Sequence, residues 1–207
     1  INKKDFTTIE DLHLKHSVGG ESIAEETRIQ VKYDDAYLEI KFECRNNPRM
    51  DQNFYTEDNT SMYNQEVFEI FISKGEEVPE DYLEIEINPN NALFLGKIKN
   101  NFKTDKSVKL EFIDTKTSGV VHTIQKDTKN ETWSGHLKFP LTLLDYPADV
   151  DGNIYRLNFY RIISNQDQED PTWRNSAKNS TYACWSSTLA SRPNFHRPEY
   201  FGFLVLE

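Results

Sequence analysis

The chain has 207 residues, a net charge of −10 and an isoelectric point near 5.0. It can bury a substantial core, but it lacks the concentrated Lys and Arg that a nucleic-acid backbone requires, so a polyanion is excluded as the expected partner. There is no run of about 18 apolar residues to cross a bilayer and no charged-then-apolar leader, which a mature secreted chain would have lost.

Period-two apolar patterning begins at Arg28–Tyr33 and Tyr37–Cys44, with Asp34-Asp35-Ala36 between them as a tight hairpin. In the second of these strands Leu38, Ile40 and Phe42 face inward, opposite Glu39, Lys41 and Glu43. A polar loop follows, roughly Arg45 to Tyr63. Then comes Val67–Ser73, where an acid stands among apolar residues: Phe68, Ile70 and Ile72 share one face, and Val67, Glu69 and Phe71 the other. A carboxylate so placed loses hydration and needs hydrogen-bond partners, and a ligand hydroxyl could be one. Tyr82–Asn88 repeats the arrangement, with Leu83, Ile85 and Ile87 on one face and Tyr82, Glu84, Glu86 and Asn88 on the other. If the two strands pair, their polar residues line one side of a sheet.

Further strands are expected at Ala92–Lys97, Val108–Ile113, Val120–Gln125, Thr132–Phe139, Tyr155–Ile162 and Gly202–Leu206. One helical turn is expected at Leu141–Leu144, opened by Pro140 and stopped by Asp145-Tyr146-Pro147. A second long polar loop runs from about Ser164 to Tyr182. This rhythm predicts one all-β domain over residues 1–207, an antiparallel, jelly-roll-like β-sandwich with very little helix.

Tyr63 leaves the first long loop and Trp185 the second, so a sandwich could bring two aromatic plates to one rim, where they would grip a sugar ring. Glu69 and Glu84 would accept from its hydroxyls, and Asn158 or Arg161 would donate. Arg161 shares the core-facing row of Leu157 and Phe159, so an internal ion pair with a carboxylate such as Glu69 is an equal expectation.

Other chemistries have thinner support. Neighbouring carboxylates could serve a glycoside hydrolase if spaced about 5–5.5 Å or about 6.5–9.5 Å apart, but no nucleophile elbow, zinc-protease motif or glycine-rich phosphate loop occurs. The five histidines include one close pair, His13 and His16, too few for zinc. Asp51, Glu57 and Asp58 could offer oxygens to calcium but lack EF-hand spacing. Cys44 and Cys184 permit one disulfide. Sequons at Asn59, Asn130 and Asn179 suggest surface loops.

Several blocks resemble family 9 carbohydrate-binding modules and their bacterial relatives. Trp185-Ser186-Ser187, followed by Asn194 to Gly202, is similar to the family's ending. Tyr63 to Ile72 resembles its Trp-x-Asp-Asp-x-Val-Glu-x-Phe-Ile block, Trp133 to Pro140 its W-x-x-E-x-x-I-P strand, and Leu157 to Arg161 its R-x-N-x-x-R segment. Tyr82 to Asn90 matches the strand ending in Asn-Pro. The resemblance implies a noncatalytic sandwich that clamps a sugar between two aromatic plates, here Tyr63 and Trp185, with Glu69 as a hydroxyl acceptor. It also implies a secreted, periplasmic or cell-surface bacterial setting in polysaccharide catabolism, sometimes beside glycoside hydrolases. No cofactor is required, although structural calcium is common in the family. Tyr63 replaces a tryptophan, Asn64 and Gln65 replace acids, His136 stands where an acid is common, and Ser187 replaces a proline. The same sandwich could instead be a protein-interaction module without sugar binding. It could also be a haem-binding electron-transfer domain, with Met50 or Met62 and His196 as axial ligands.

Overall fold

The computed structural model describes residues 1, 3, 5–8 and 12–207. Thirteen strands are formed among them: β1 (Thr7–Thr8), β2 (Lys15–His16), β3 (Thr27–Tyr33), β4 (Tyr37–Cys44), β5 (Val67–Lys74), β6 (Asp81–Ile87), β7 (Leu93–Asn100), β8 (Val108–Phe112), β9 (Val121–Asp127), β10 (Thr132–Pro140), β11 (Ile154–Ser164), β12 (Ser180–Cys184) and β13 (Gly202–Val205). The expected helical turn, α1, spans Leu141–Leu144. No helix among the described residues is long and apolar enough to cross a membrane.

The strands make two antiparallel sheets. One has the order β1-β3-β4-β10-β9, and the other β2-β12-β11-β5-β6-β7-β8, with β13 pairing the first part of β11. The Asp34 hairpin closes as its composition requires, because the Asp34 carboxylate accepts from the amides of Ala36 and Tyr37, each at 2.8 Å.

Alternation decides what each face buries. Ile29, Val31, Leu38, Ile40 and Phe42 of the first sheet meet Phe68, Ile70, Ile72, Leu83, Ile85, Leu157 and Phe159 of the second. Phe42 stacks on Phe68 with ring centroids 4.2 Å apart, and Trp133 closes on Phe42 edge-on at 5.1 Å. The second sheet is unusual in carrying an apolar cluster on its other face as well. Val67, Phe71, Tyr82, Phe94, Ile98, Tyr160, Ile162 and Cys184 are covered there by Met62 from the first long loop and by Phe195 and Phe201 from the C-terminal segment. The central strands β5, β6 and β11 are therefore buried on both faces, and any acid on them is taken out of water.

Four sequence expectations are corrected here. The stretch expected to be loop up to Tyr182 contains β12, a short strand whose pattern is too brief to signal itself. Cys44 and Cys184 are free and lie in separate apolar clusters, so the permitted disulfide is not made. Arg161 does pair inside the sandwich, but with Glu66 rather than Glu69: its Nε donates to Glu66 Oε1 at 2.9 Å, and the Trp133 indole donates to the same oxygen at 3.2 Å. The physical reason is parity, since Arg161 sits on the inter-sheet face with Phe159 while Glu69 sits on the opposite one. The fourth, Trp185, is taken up with the site.

Candidate functional site

A groove of about 350 Å³ crosses the outer face of the second sheet, a size that suits a small ligand. Taken across the strands, it is lined by Tyr182 on β12, Ile162 on β11, Glu69 and Phe71 on β5, Glu84 on β6, Phe94 and Ile98 on β7, and Val108 and Leu110 on β8. Acids thus stand at its centre with apolar side chains on both flanks.

The two long loops do converge over it. Met62 is an anchor buried in the outer cluster, and the next residue, Tyr63, is turned outward with 42% of its surface exposed. The backbone N–H of Asn175 donates to the Asn64 carbonyl at 2.9 Å, and the Asn175 side chain donates to the carbonyl of Tyr63. Farther out, Arg49 and Gln52 both donate to Asp167, at 3.1 and 3.2 Å. Asn175 also accepts from the Tyr182 hydroxyl at 2.7 Å, so one amide ties Tyr63 and Tyr182 to a common frame.

At the floor, register sets Glu69 opposite Glu86, and Phe71 opposite Glu84. Glu69 is 2% exposed, Glu84 7% and Glu86 0%. Burial pushes the Glu84 carboxyl up to about 7 and holds those of Glu69 and Glu86 well above the ordinary range, and the neighbouring acids add to the rise at both. At the far end His196 lines the groove, with its Nδ1 2.7 Å from the Tyr82 hydroxyl. Burial lowers its pKa to about 4, so the ring is neutral at pH 7. No Lys or Arg lines the groove.

Of the six residues expected to form the site, the structure brings Tyr63, Glu69 and Glu84 together and places three elsewhere. Trp185 follows β12 in its alternation, so it turns to the inter-sheet side. There it packs against the inter-sheet core, with its ring centroid 6.3 Å from that of Phe159, and its six-membered ring abuts Gly202. It is not a second plate facing Tyr63. Asn158 is fully buried and spends its side chain on Ser186, donating to that carbonyl at 2.8 Å and accepting from that amide at 3.0 Å. Arg161 is held by Glu66, as described. Glu69 is also more enclosed than a solvent-reachable notch would require.

The groove's other contributors were harder to foresee. Glu86 shares the face of Glu84, as alternation had placed it, but lies buried beneath the groove and does not line it. Tyr182 was hidden by the unrecognised strand, and Asn175 carries no local signal at all.

The remaining candidates have settled roles. Asp51 pairs with Lys126 at 2.9 Å, and Asp58 accepts from the Leu93 amide and the Thr115 hydroxyl at 2.8 and 2.7 Å. Met50 and Met62 are buried in different apolar clusters. A larger hollow of about 710 Å³ lies on the outer face of the first sheet. Two of its charged residues, Arg45 and Glu43, pair with each other at 2.5 Å, and no tyrosine or tryptophan lines it.

The model for carbohydrate-binding family 9 matches residues 2–206, and the chain belongs to that family. Among curated proteins it is 25% identical, over 87% of its length and 78% of the relative's, to an extracellular protein of Arthroderma benhamiae. Among solved structures it resembles a Bacteroides uniformis protein described provisionally as carbohydrate-binding. That match has a TM-score of 0.69 at 16% identity, covering 98% of this chain and 86% of the other. It also resembles a family 9 module of Caldicellulosiruptor kristjanssonii solved with cellotriose (TM-score 0.57, 12% identity, 100% and 92% covered) and one solved with glucose (0.56, 14%, 100% and 95%).

Proposed function

We propose that the chain is a noncatalytic, secreted carbohydrate-binding domain, serving polysaccharide breakdown, whose ligand lies in the groove on the outer face of the second sheet. The observation that carries this reading is the exposed ring of Tyr63 at a groove whose floor presents Glu69 and Glu84. An aromatic face covers the C–H patch of a pyranose, while carboxylates accept from its equatorial hydroxyls. Tyr182 supplies a second ring, in place of Trp185. Family membership supports the class of ligand, and the structural neighbours solved with glucose and cellotriose make glucose-based sugars the first to try.

Calorimetric titration with glucose, cellobiose and cellotriose tests the reading. Saturable binding that is weakened in Glu69→Ala and unchanged in Lys109→Ala is expected, because Lys109 lies on β8 between Val108 and Leu110 and faces away from the groove. Absence of binding across a broad panel of neutral sugars would overturn it in favour of an interaction module.

A further inference from the structure

Strand β8 is a free edge of the second sheet, and every one of its residues is exposed, although most of its neighbour β7 is buried. Such an edge is a template for another strand. The other sheet edges are poorer ones. Among the described residues β1 and β2 have two residues each, and β9, paired antiparallel with its own copy about its central Ile124, would match no opposite charges.

The ladder fixes which backbone groups of β8 are free. The Ile113 amide donates to the Leu95 carbonyl and the Asn101 amide to the Ser107 carbonyl, each at 2.9 Å. By the same parity Lys109 and Glu111 turn their amides and carbonyls to β7, and Val108, Leu110 and Phe112 turn theirs outward. The strand reads Val-Lys-Leu-Glu-Phe, which is complementary to itself when reversed. Set antiparallel to a second β8 about Leu110, it puts Lys109 opposite Glu111, twice, and Val108 opposite Phe112. Those charged residues then form the closely spaced pairs of the ladder, where opposite charges attract and like charges destabilise. The adjacent registers of the same parity would set Lys109 against Lys109 or Glu111 against Glu111, so only one register is matched. Within the chain Lys109 already faces Lys99 across the ladder and makes no salt bridge among the described residues, and Glu111 reaches Lys97 at 3.9 Å.

We propose that two copies of this chain pair through β8, antiparallel about Leu110, into one continuous sheet. The two-fold axis is perpendicular to that sheet, so both grooves open on the same side, flanking the seam through Val108 and Leu110. Each groove is lined within one copy, so a short sugar needs no partner chain. With five residues a side, against about 20–30 in a standard interface, the association is weak and reversible. It does not depend on the sugar reading, and its test contains no sugar.

The test is sedimentation velocity of the chain from about 10 μM to about 1 mM, the range in which an interface this small associates. A concentration-dependent shift from monomer to dimer is expected. Lys109→Glu and Glu111→Lys, each alone, should weaken it at least about tenfold by setting like charges across the seam. Mixing the two single variants should restore association, since one brings two acids to the seam and the other two bases, and the double swap K109E/E111K should restore it within one chain. A parent that stays monomeric at about 1 mM would overturn the proposal. Association that survives both single variants would overturn it by locating the contact elsewhere, and so would a loss that mixing fails to repair. Association without sugar binding would sink only the functional reading, and the converse only this one.

Discussion

Glu69 and Glu86 stand directly opposite each other on adjacent strands, and both are buried. Ionising both would set like charges side by side where neither can be hydrated, which is why both carboxyls are held well above the ordinary range. The pair is a liability to the fold, so Glu86→Gln should raise the melting temperature by about 2–4 °C, equivalent to about 1 kcal/mol in a chain of this size. Scanning calorimetry of parent and variant at neutral pH checks the rise.

Arg161 and Glu66 are the opposite case, a buried pair with complementary charge and further support from Trp133 and Thr27. Arg161→Ala leaves a sealed carboxylate without its cation and should cost about 3–5 kcal/mol in urea unfolding. The double substitution Arg161→Met with Glu66→Leu should recover much of that loss, because replacing both partners with apolar groups leaves no charge stranded.

The six-membered ring of Trp185 crowds Gly202, so Gly202→Ala would drive a methyl group into it. Overpacking of this kind costs about 1–3 kcal/mol. Chemical denaturation should show that loss while sugar titrations of the same variant stay close to the parent, because neither residue lines the groove.

His196 gives the fold a definite acid sensitivity. Its ring is held neutral against the Tyr82 hydroxyl with a pKa of about 4, against 6.5 for a free histidine. Between those values the unfolded chain binds the proton and the folded chain does not, so this contribution is intact above about 6.5 and is lost as pH falls toward about 4. Thermal unfolding of parent and His196→Gln should therefore diverge across that window. The parent should lose more stability on acidification, and the two slopes should match above it.

Strand alternation made most of this architecture readable. The rows Leu38-Ile40-Phe42 and Phe68-Ile70-Ile72 announced the two inner faces, and the Asp34 turn announced its hairpin. The acids at 69, 84 and 86 were legible as a shared face because period two is rigid. The partner of Arg161 was not, since it depends on which acid lies across the sandwich, a contact between residues 95 apart in sequence. Trp185 misled for a related reason. Its position beyond a long loop suggested a rim, but β12 begins before it, and one unrecognised strand fixes which way every following side chain points. Asn175, which joins the two loops, acts through tertiary contacts that no local pattern encodes.

The placement of the ligand is tested most directly by titrating glucose and cellotriose into the parent, Tyr63→Ala and Trp185→Ala in a single calorimetric series. The groove account predicts that Tyr63→Ala weakens binding at least about tenfold with little loss of stability, as expected for an exposed ring. It predicts that Trp185→Ala lowers stability by about 2–3 kcal/mol and leaves affinity within about twofold. Binding lost in a folded Trp185→Ala but kept in Tyr63→Ala would contradict it.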